Sequence, residues 1–331
     1  MSNLSQFTST CIQAVDNGKQ VDAVYLDLKA AFDKVDHHIL LQKLEKLGVS
    51  AAGVDWFRSY LMGRSLRVKI GSAYSAPFVS LSGVPQGSNL GPLLFSLFIN
   101  DVTLILPSGV KLLYADDAKI YMIVECLDDC FALQELLKRF EQWCAGNCLT
   151  LSIEKCQVIT FSRKLKPIIF DYKLSGRSLE RVHRIKDLGV TLDDRLTFRF
   201  HRDEVISKAN RQLGFIMKIA KGFQDPHCLR SLYCALVRSI LEFAVVVWCP
   251  YQSTWINRLE SIQRKFVRYA LRNLPWREGQ QATPYVARCQ LLGLDTLEVR
   301  HRTMQALFVT KILNGIVDSP SLLKMLSFYA H

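Results

Sequence analysis

KLLYADDAKIYMIV, residues 111–124, is the stretch that decides the fold, because two apolar runs flank a pair of adjacent acids. Residues 111–114 and 118–124 have the composition of buried strands, and Ala115, Asp116 and Asp117 separate them. The stretch therefore predicts a hairpin that carries two carboxylates in its turn.

A third acid ends a predicted strand earlier in the chain. VDAVYLDL, residues 21–28, predicts a buried strand with Asp27 near its end, and helical periodicity follows until Gly48. The later pattern predicts a helix at 54–62, a strand pair at 66–70 and 78–81, a loop at 82–92, helices at 93–106 and 129–144, and strands at 156–162 and 188–192. This order predicts an α+β domain.

Strands with apolar residues on both faces pair in the middle of a sheet, so we expect Asp27, Asp116 and Asp117 to meet at one sheet edge. Clustered carboxylates repel one another unless a cation neutralises them. Hard oxygen ligands suit Mg²⁺, which takes the rest of its shell from water and substrate phosphates. The acids therefore indicate two-metal phosphoryl transfer. A four-residue pattern such as YADD also arises by chance, and solvated turn aspartates are the alternative.

The positive charge is concentrated in one part of the chain. The net charge is +12, and Lys and Arg exceed Asp and Glu by one in residues 1–194, by ten in 195–277 and by one in 278–331. The middle segment is mostly helical in pattern, which predicts a surface that faces a polyanion. A solvated basic helical face is the alternative.

The remaining composition indicates a reduced protein inside the cell. The ten cysteines do not have the spacings of a zinc site. The N-terminus lacks an apolar signal core, and the longest apolar runs are too short to span a bilayer. We therefore expect neither secretion nor a membrane partner, and a location in the nucleus, the cytoplasm or both.

Five segments, in order, resemble the motifs of reverse transcriptases. AVYLDLKAAFDKVDH is similar to motif A, SGVPQGSNLGPLLFSLFIND to motif B, LLYADDAKIY to motif C, LTLSIEKCQVITFSR to motif D and IKDLGVTLDDRLTF to motif E. Their variants resemble the non-LTR (LINE-type) branch, near the jockey and CR1 groups. The resemblance implies a right-hand polymerase palm, an antiparallel sheet with helices on one face, followed by a mostly helical thumb.

The resemblance also implies an activity and its partners. The chain would be an RNA-directed DNA polymerase that adds dNTPs to the 3′-hydroxyl of a DNA primer on an RNA template. Two Mg²⁺ ions would serve, with Mn²⁺ as a possible substitute. Asp27 and Asp116 would be the main metal ligands and Asp117 an auxiliary acid.

Further roles follow from the motifs residue by residue. Ala30 and Ala31 would offer backbone N–H groups to the triphosphate, and Phe32 would exclude a 2′-hydroxyl. Gln86 and Gly87 would contact the nascent base pair, and Tyr114 would belong to the same substrate site. Lys155 would protonate pyrophosphate. For Ala30 and Ala31 the structural alternative is plain helix propensity, and for Phe32 it is packing in the core. For Gln86 and Gly87 it is an ordinary turn, and for Lys155 it is a solvated lysine. Leu188, Gly189 and Val190 would form the primer grip, although Asp187 stands where the family usually has an aromatic residue.

The resemblance gives the basic segment a place and divides the chain into three parts. Residues 1–194 would be the palm with a remnant of the fingers, 195–277 the basic thumb and 278–331 a helical extension. The thumb would contact phosphates of the template–primer duplex independently of sequence. Its candidate contacts are Arg211, Lys218, Lys221, Arg264, Lys265 and Arg268.

Segments that such enzymes normally carry are not recognisable here. Motif A begins about twenty residues from Met1, so we expect a truncated copy whose fingers and endonuclease segments are missing and could act as partners. Two hypotheses follow. In one the chain polymerises DNA; in the other it is a catalytically inactive remnant that only binds RNA or an RNA–DNA hybrid.

Overall fold

The computed structural model describes residues 2–107, 109–223, 225–272 and 284–326. The chain forms two compact units: one is Cys11–His183, and the other combines Met1–Thr10 with Arg184–His331. The hairpin after His183 belongs to the second of these units, where it contacts the helix that follows it, and the boundary at residue 194 stays a prediction. The boundary predicted between residues 277 and 278 lies outside the described residues.

The helices and strands have the following bounds. The helices are α1 (Ser2–Asp16), α2 (His37–Lys46), α3 (Ala51–Leu61), α4 (Gly91–Ile99), α5 (Val102–Ile105), α6 (Leu127–Gly146), α7 (Arg199–Ile219), α8 (Pro226–Tyr233), α9 (Ser239–Glu242), α10 (Val245–Trp248), α11 (Ser253–Ala270), α12 (Tyr285–Leu291), α13 (Leu297–Leu313) and α14 (Pro320–Met325). The strands are β1 (Gln20–Leu26), β2 (Ser65–Leu66), β3 (Lys69–Ile70), β4 (Ala73–Tyr74), β5 (Phe78–Val79), β6 (Lys111–Tyr114), β7 (Asp117–Val124), β8 (Gln157–Phe161), β9 (Lys173–Leu174), β10 (Arg177–Ser178), β11 (Glu180–Val182), β12 (Arg184–Asp187) and β13 (Val190–Asp193).

The unit Cys11–His183 is built on a five-stranded sheet in the order β11-β8-β1-β7-β6. Strand β1 pairs antiparallel with both β8 and β7, and β6 pairs antiparallel with β7. Strand β11 pairs parallel to β8. One face of the sheet is buried in a hydrophobic core, to which β1 and β7 contribute alternate residues such as Val24, Leu26 and Ile120. Helix α4 contributes Phe95 to the same core, and α6 contributes Phe140. The α+β class and the antiparallel sheet predicted from the sequence are confirmed.

Local side-chain chemistry changes where two predicted helices begin and end. Ala30 adopts a left-handed conformation and a 3₁₀ turn follows, so α2 begins only at His37, where Asp36 accepts a hydrogen bond from the Ile39 N–H. The helix predicted at 93–106 is divided into α4 and α5. Between them the carboxylate of Asp101 accepts hydrogen bonds from Trp143 and Lys43.

In the second unit, a buried polar network joins α11 to the start of α13. Gln263 is fully buried and donates to Tyr285 and to the carbonyl of Asp295. Glu260 accepts from the N–H groups of Leu297 and Glu298, at 3.2 and 3.3 Å. The first backbone N–H groups of a helix have no acceptor within that helix, and Glu260 supplies one at the start of α13. Within the described ranges, no helix has the length and apolar character that crossing a bilayer requires.

Candidate active site

Asp27 and the YADD hairpin meet at one edge of the sheet. β1 and β7 pair antiparallel with Leu26 opposite Ala118, and one further step of this register places Asp27 level with Asp117. Tyr114 pairs with Asp117 across the hairpin, so Ala115 and Asp116 form a two-residue turn. Only Asp116 of the two hairpin acids thus lies in the turn, whereas Asp117 is the first residue of β7.

The segment before β8 brings Lys155 to the other side of Asp27. The pairing of β1 with β8 ends at Tyr25 and Gln157, and Lys155 lies just before β8, at the end of a 3₁₀ turn, Ile153–Lys155. The Lys155 ammonium lies 3.6 Å from Oδ2 of Asp27, and both side chains are partly exposed. Asp27 therefore has a carboxylate on the neighbouring strand β7 and an ammonium group from the turn before β8.

The donor set at this edge suits a hard cation, since it consists of carboxylates that are partly open to solvent. Nevertheless, no three His, Cys, Asp or Glu side chains in the described ranges are close enough together to hold a metal ion. The three acids thus share an edge without converging on one point. Asp27 and Asp116 are the residues that could hold a divalent ion, with Asp117 beside them.

A short segment before β8 fixes the backbone of Asp27. The Asp27 N–H points to Sγ of Cys156 at 3.5 Å, and the Asp27 carbonyl accepts from the Ser152 N–H at 2.8 Å. The neighbouring Lys29 N–H donates to the carbonyl of Thr150. Sequence reasoning missed Ser152 and Cys156, because no local pattern shows that these residues meet a strand more than a hundred positions earlier.

The turn after Asp27 exposes the start of a short helix. Ala30 has φ 51° and ψ 50°, a left-handed conformation that disfavours residues with a Cβ, and Ala31–Asp33 forms a 3₁₀ turn. The first N–H groups of any helix lack partners within that helix, so this turn can present donors to an anion. Ala30 is exposed, whereas Ala31 is buried.

Phe32 and Tyr114 differ in their surroundings. The Phe32 ring is half-buried and stacks on the buried ring of Phe95, with centroids 4.2 Å apart. The Tyr114 side chain is 57% exposed at the end of β6. Phe32 therefore contributes to the core, and its proposed role toward the sugar stays a prediction.

The loop of residues 82–91 is attached to the turn after Asp27. Val84 N–H donates to the carbonyl of Phe32 and Gly83 N–H to that of Val35. Gly83 has φ +85°, and a Cβ there would lie 2.8 Å from the Asp33 backbone, so a larger residue would separate the two segments.

The predicted base-pair contacts lie on the open side of the same loop. Gln86 is exposed, and its amide donates to Oδ1 of Asp33 at 2.7 Å. Gly87 has φ +78°, and a Cβ there would meet no atom within 4 Å. Loop 82–91 thus combines a fixed side, at Gly83, with a side that is free to meet a ligand.

The second unit carries the predicted nucleic-acid contacts on helix surfaces. All six are exposed: Arg211 and Lys218 on α7, Lys221 just after it, and Arg264, Lys265 and Arg268 on α11. α7 and α11 contact each other. The guanidinium of Arg264 also lies 5.1 Å from the ring centroid of Tyr285.

Gly214 is a further residue that sequence reasoning missed. It lies within α7, is exposed, and a Cβ there would meet no atom within 4 Å. Arg211 and Lys218, three residues before and four after it, lie on the same helix face. A glycine inside a helical pattern calls for a packing or functional reason, and that signal was present in the sequence.

The predicted primer grip is the β12–β13 hairpin. Leu188 and Gly189 form its two-residue turn with φ 45° and 86°, the positive values that such a turn requires. Gly189 packs against the ring of Phe243, which would lie 2.9 Å from an added Cβ. Asp187 is buried and pairs with Val190 across the hairpin.

Comparison with known proteins agrees with these motifs. A protein of Drosophila melanogaster named "Probable RNA-directed DNA polymerase from transposon BS" is 31% identical over 290 residues, which cover 83% of this chain and 32% of that protein. The RNA-directed DNA polymerase from mobile element jockey of Drosophila funebris is 30% identical over 291 residues, 82% of this chain and 31% of that protein. The chain thus spans about a third of the length of these relatives.

A solved structure of telomerase from Candida tropicalis, in complex with a TWJ fragment of telomeric RNA, aligns with a TM-score of 0.43 at 13% identity. It covers 92% of this chain and 44% of that one. This TM-score is too low for the likeness to bear on function.

The family described as reverse transcriptase (RNA-dependent DNA polymerase) matches residues 2–192, more than half of the chain. This match includes motifs A to D and the hairpin of motif E, and it confirms the resemblance drawn from them. The chain therefore belongs to the reverse transcriptase family, and it is similar to members from mobile elements such as jockey.

Proposed function

We propose that the chain is the RNA-directed DNA polymerase domain of a non-LTR retrotransposon and adds dNTPs to a primer 3′-hydroxyl on an RNA template. The observation that carries this proposal is the meeting of Asp27 with the hairpin of Asp116 and Asp117 at one sheet edge. Its relatives are named RNA-directed DNA polymerases. An enzyme with these substrates would work in the nucleus, the cytoplasm or both.

Reverse transcriptases use divalent metal ions, and two Mg²⁺, or Mn²⁺ in their place, are the ions proposed for this site. Asp27 and Asp116 would hold them and Asp117 would add negative charge nearby. Bound ions would acidify the primer hydroxyl and stabilise the charge on the leaving pyrophosphate. The carboxylates have the donor chemistry for this, because both are oxygen ligands at a part-exposed edge.

The remaining residues of the first unit would position the nucleotide. The 3₁₀ turn at Ala30 and Ala31 would donate backbone N–H groups to the triphosphate, and Lys155, already beside Asp27, would give a proton to the pyrophosphate. Phe32 would lie against C2′ of the sugar. Gln86 and Gly87 would meet the nascent base pair from the open side of loop 82–91.

In the second unit, the exposed cations of α7 and α11 would neutralise phosphates of the template–primer duplex. Gly214 would let the duplex backbone approach α7 closely between Arg211 and Lys218. A glycine inside a helix costs about 0.5–1 kcal/mol relative to alanine. The described surroundings of Gly214 offer no packing reason for that cost.

Primer extension on an RNA template tests the proposal. The chain would be assayed with dNTPs and Mg²⁺, alone and with a separately supplied fingers segment, beside Asp27→Asn and Asp116→Asn. We expect extension that either variant abolishes, whereas Asp171→Asn, an exposed acid far along the chain, leaves it unchanged. Extension that survives Asp116→Asn would contradict the assignment of that acid.

The second candidate is a protein that only binds RNA or an RNA–DNA hybrid. The separation of the three acids and the ammonium of Lys155 beside Asp27 favour it. Hybrid binding without extension, both with and without the supplied segment, would select this candidate.

A further inference from the structure

Three hydrogen bonds form a closed ring around the backbone of Asp27. The Asp27 N–H points to Sγ of Cys156, the Ser152 N–H donates to the Asp27 carbonyl, and the Cys156 N–H donates to the Ser152 carbonyl at 3.2 Å. Each residue of the ring therefore fixes the next. The ring joins parts of the chain that lie 129 positions apart.

The acceptor in this ring is a buried thiol. Cys156 is 1% exposed, so its thiol is shielded from solvent. A neutral sulfur accepts an N–H bond weakly. Sγ nevertheless lies 3.5 Å from the backbone nitrogen of Asp27, the residue that follows the end of β1.

The ring also sets where the Asp27 carboxylate lies. Leu26 and Leu28, on either side of it, are each 4% exposed and fixed in the core. The backbone at residue 27 then decides whether the carboxylate faces the hairpin of Asp116. A shift of that backbone by a fraction of an ångström would change the separation of two carboxylates that must act together.

We propose that Cys156 is a positioning residue, which fixes the backbone of Asp27 through its sulfur and thereby holds the Asp27 carboxylate at the sheet edge that it shares with Asp116, where a divalent cation would bind. The proposal rests on the proposed function for the role of the carboxylate. It does not assign Cys156 any contact with substrate or metal.

The test separates the acceptor from the volume of the side chain. Cys156→Ser keeps an acceptor, whereas Cys156→Val fills the space without one. Two quantities would be measured in the full chain: amide exchange of peptides that contain residue 27, and Mn²⁺ binding by electron paramagnetic resonance. For Cys156→Val we expect faster exchange and about three- to tenfold weaker Mn²⁺ binding, because the Asp27 N–H is left without an acceptor and an unpaired donor costs more than a weak bond contributes. Cys156→Ser should keep both within about twofold of the unsubstituted chain.

Cys130→Val is the matched control, because Cys130 is also buried and burial raises the pKa of its thiol. It should leave exchange at residue 27 and Mn²⁺ binding unchanged. If Cys156→Val behaves like the unsubstituted chain in both measurements, Cys156 only fills space and the proposal is wrong. If the unsubstituted chain binds no Mn²⁺, the proposed function fails, and the exchange of the Ser and Val variants still decides whether sulfur fixes Asp27.

Discussion

Lys155 and Asp27 form an ion pair with 3.6 Å between Nζ and Oδ2. A cation bound by Asp27 must compete with this ammonium group, and exposed ion pairs contribute about 0.2–1 kcal/mol. We therefore predict that Lys155→Met raises the affinity for Mn²⁺ by up to about fivefold, measured by paramagnetic resonance without nucleotide. In an extension assay the same variant should be slower, because a proton donor is lost.

Lys173 offers a matched control for that prediction. It forms an ion pair of the same 3.6 Å length with Asp171, also exposed, away from the acids of the candidate site. Lys173→Met should leave Mn²⁺ affinity unchanged. Equal effects of the two variants would show that net charge, not the pair with Asp27, controls binding.

Phe32 stacks on Phe95 and is proposed to exclude a 2′-hydroxyl, and one substitution can separate the two roles. Phe32→Ala loses the stack on Phe95, so we expect a lower free energy of unfolding, by at most about 3 kcal/mol. If the ring also excludes the 2′-hydroxyl, the variant should incorporate ribonucleotides more readily in an extension assay. Phe95→Leu disturbs the same stack and should leave the rNTP:dNTP ratio unchanged; an unchanged ratio in both variants would assign Phe32 to the core alone.

For single residues, the sequence pattern was enough to predict that Asp27, Asp116 and Asp117 lie at one edge of the sheet, because acids at the ends of apolar strands follow the register of the sheet. The partners of Asp27 could not be found in the same way. Ser152 and Cys156 meet it through the pairing of β1 with β8, and nothing local in residues 149–163 encodes that register.

Among the elements, α7 contains an open glycine between two cations. Gly214→Ala should raise the free energy of unfolding by about 0.5–1 kcal/mol, because alanine restricts the unfolded chain and favours the helix. It should also weaken binding of an RNA–DNA duplex, since a methyl group would hold the backbone away from Arg211 and Lys218. Thermal unfolding and a binding titration check the two effects.

Gly146, the last residue of α6, is likewise exposed with open space around it, and it provides the comparison. Gly146→Ala should not change duplex binding. A Gly214→Ala variant that is more stable and binds as before would remove α7 from the proposed interface.

The observed helix bounds agree with the predicted ones where hydrophobic periodicity alone determines them. They differ where a side chain interrupts the helix. α6 extends two residues beyond each end of its predicted range, because its apolar positions recur at helical spacing. The helix predicted at 93–106 is interrupted at Asn100 and Asp101, and the helix after β1 starts late. Asp101 and Ala30 cause these changes through a tertiary hydrogen bond and a left-handed backbone, neither of which periodicity reports.

For the whole molecule, the distribution of charge predicts how binding depends on salt. The excess of ten positive charges in residues 195–277 should attract a duplex without metal or nucleotide. If about five phosphates are neutralised, the logarithm of the binding constant should fall against the logarithm of salt concentration with a slope of about −4 to −5. A fluorescence titration at several salt concentrations measures this slope.

Substituting Arg264, Lys265 and Arg268 together by alanine should flatten the slope by up to about three. Asp116→Asn removes a charge at the candidate active site and should leave the slope unchanged. Affinity that does not depend on salt, or no binding at low salt, would show that the basic helices are only a solvated face.

Gln86 and Asp33 belong to different loops, yet a hydrogen bond of 2.7 Å joins them. A ligand that takes the Gln86 amide must replace this bond, so its affinity is lowered by the bond's net free energy, about 0.5–1.5 kcal/mol. Binding also releases the carboxylate of Asp33, six residues after Asp27. If a ligand at Gln86 favours the binding of another group to Asp33 by some factor, thermodynamic reciprocity requires that this group raise the affinity of the ligand for Gln86 by the same factor. Binding of a ligand at Gln86 and binding of any group at Asp33 are thereby linked equilibria.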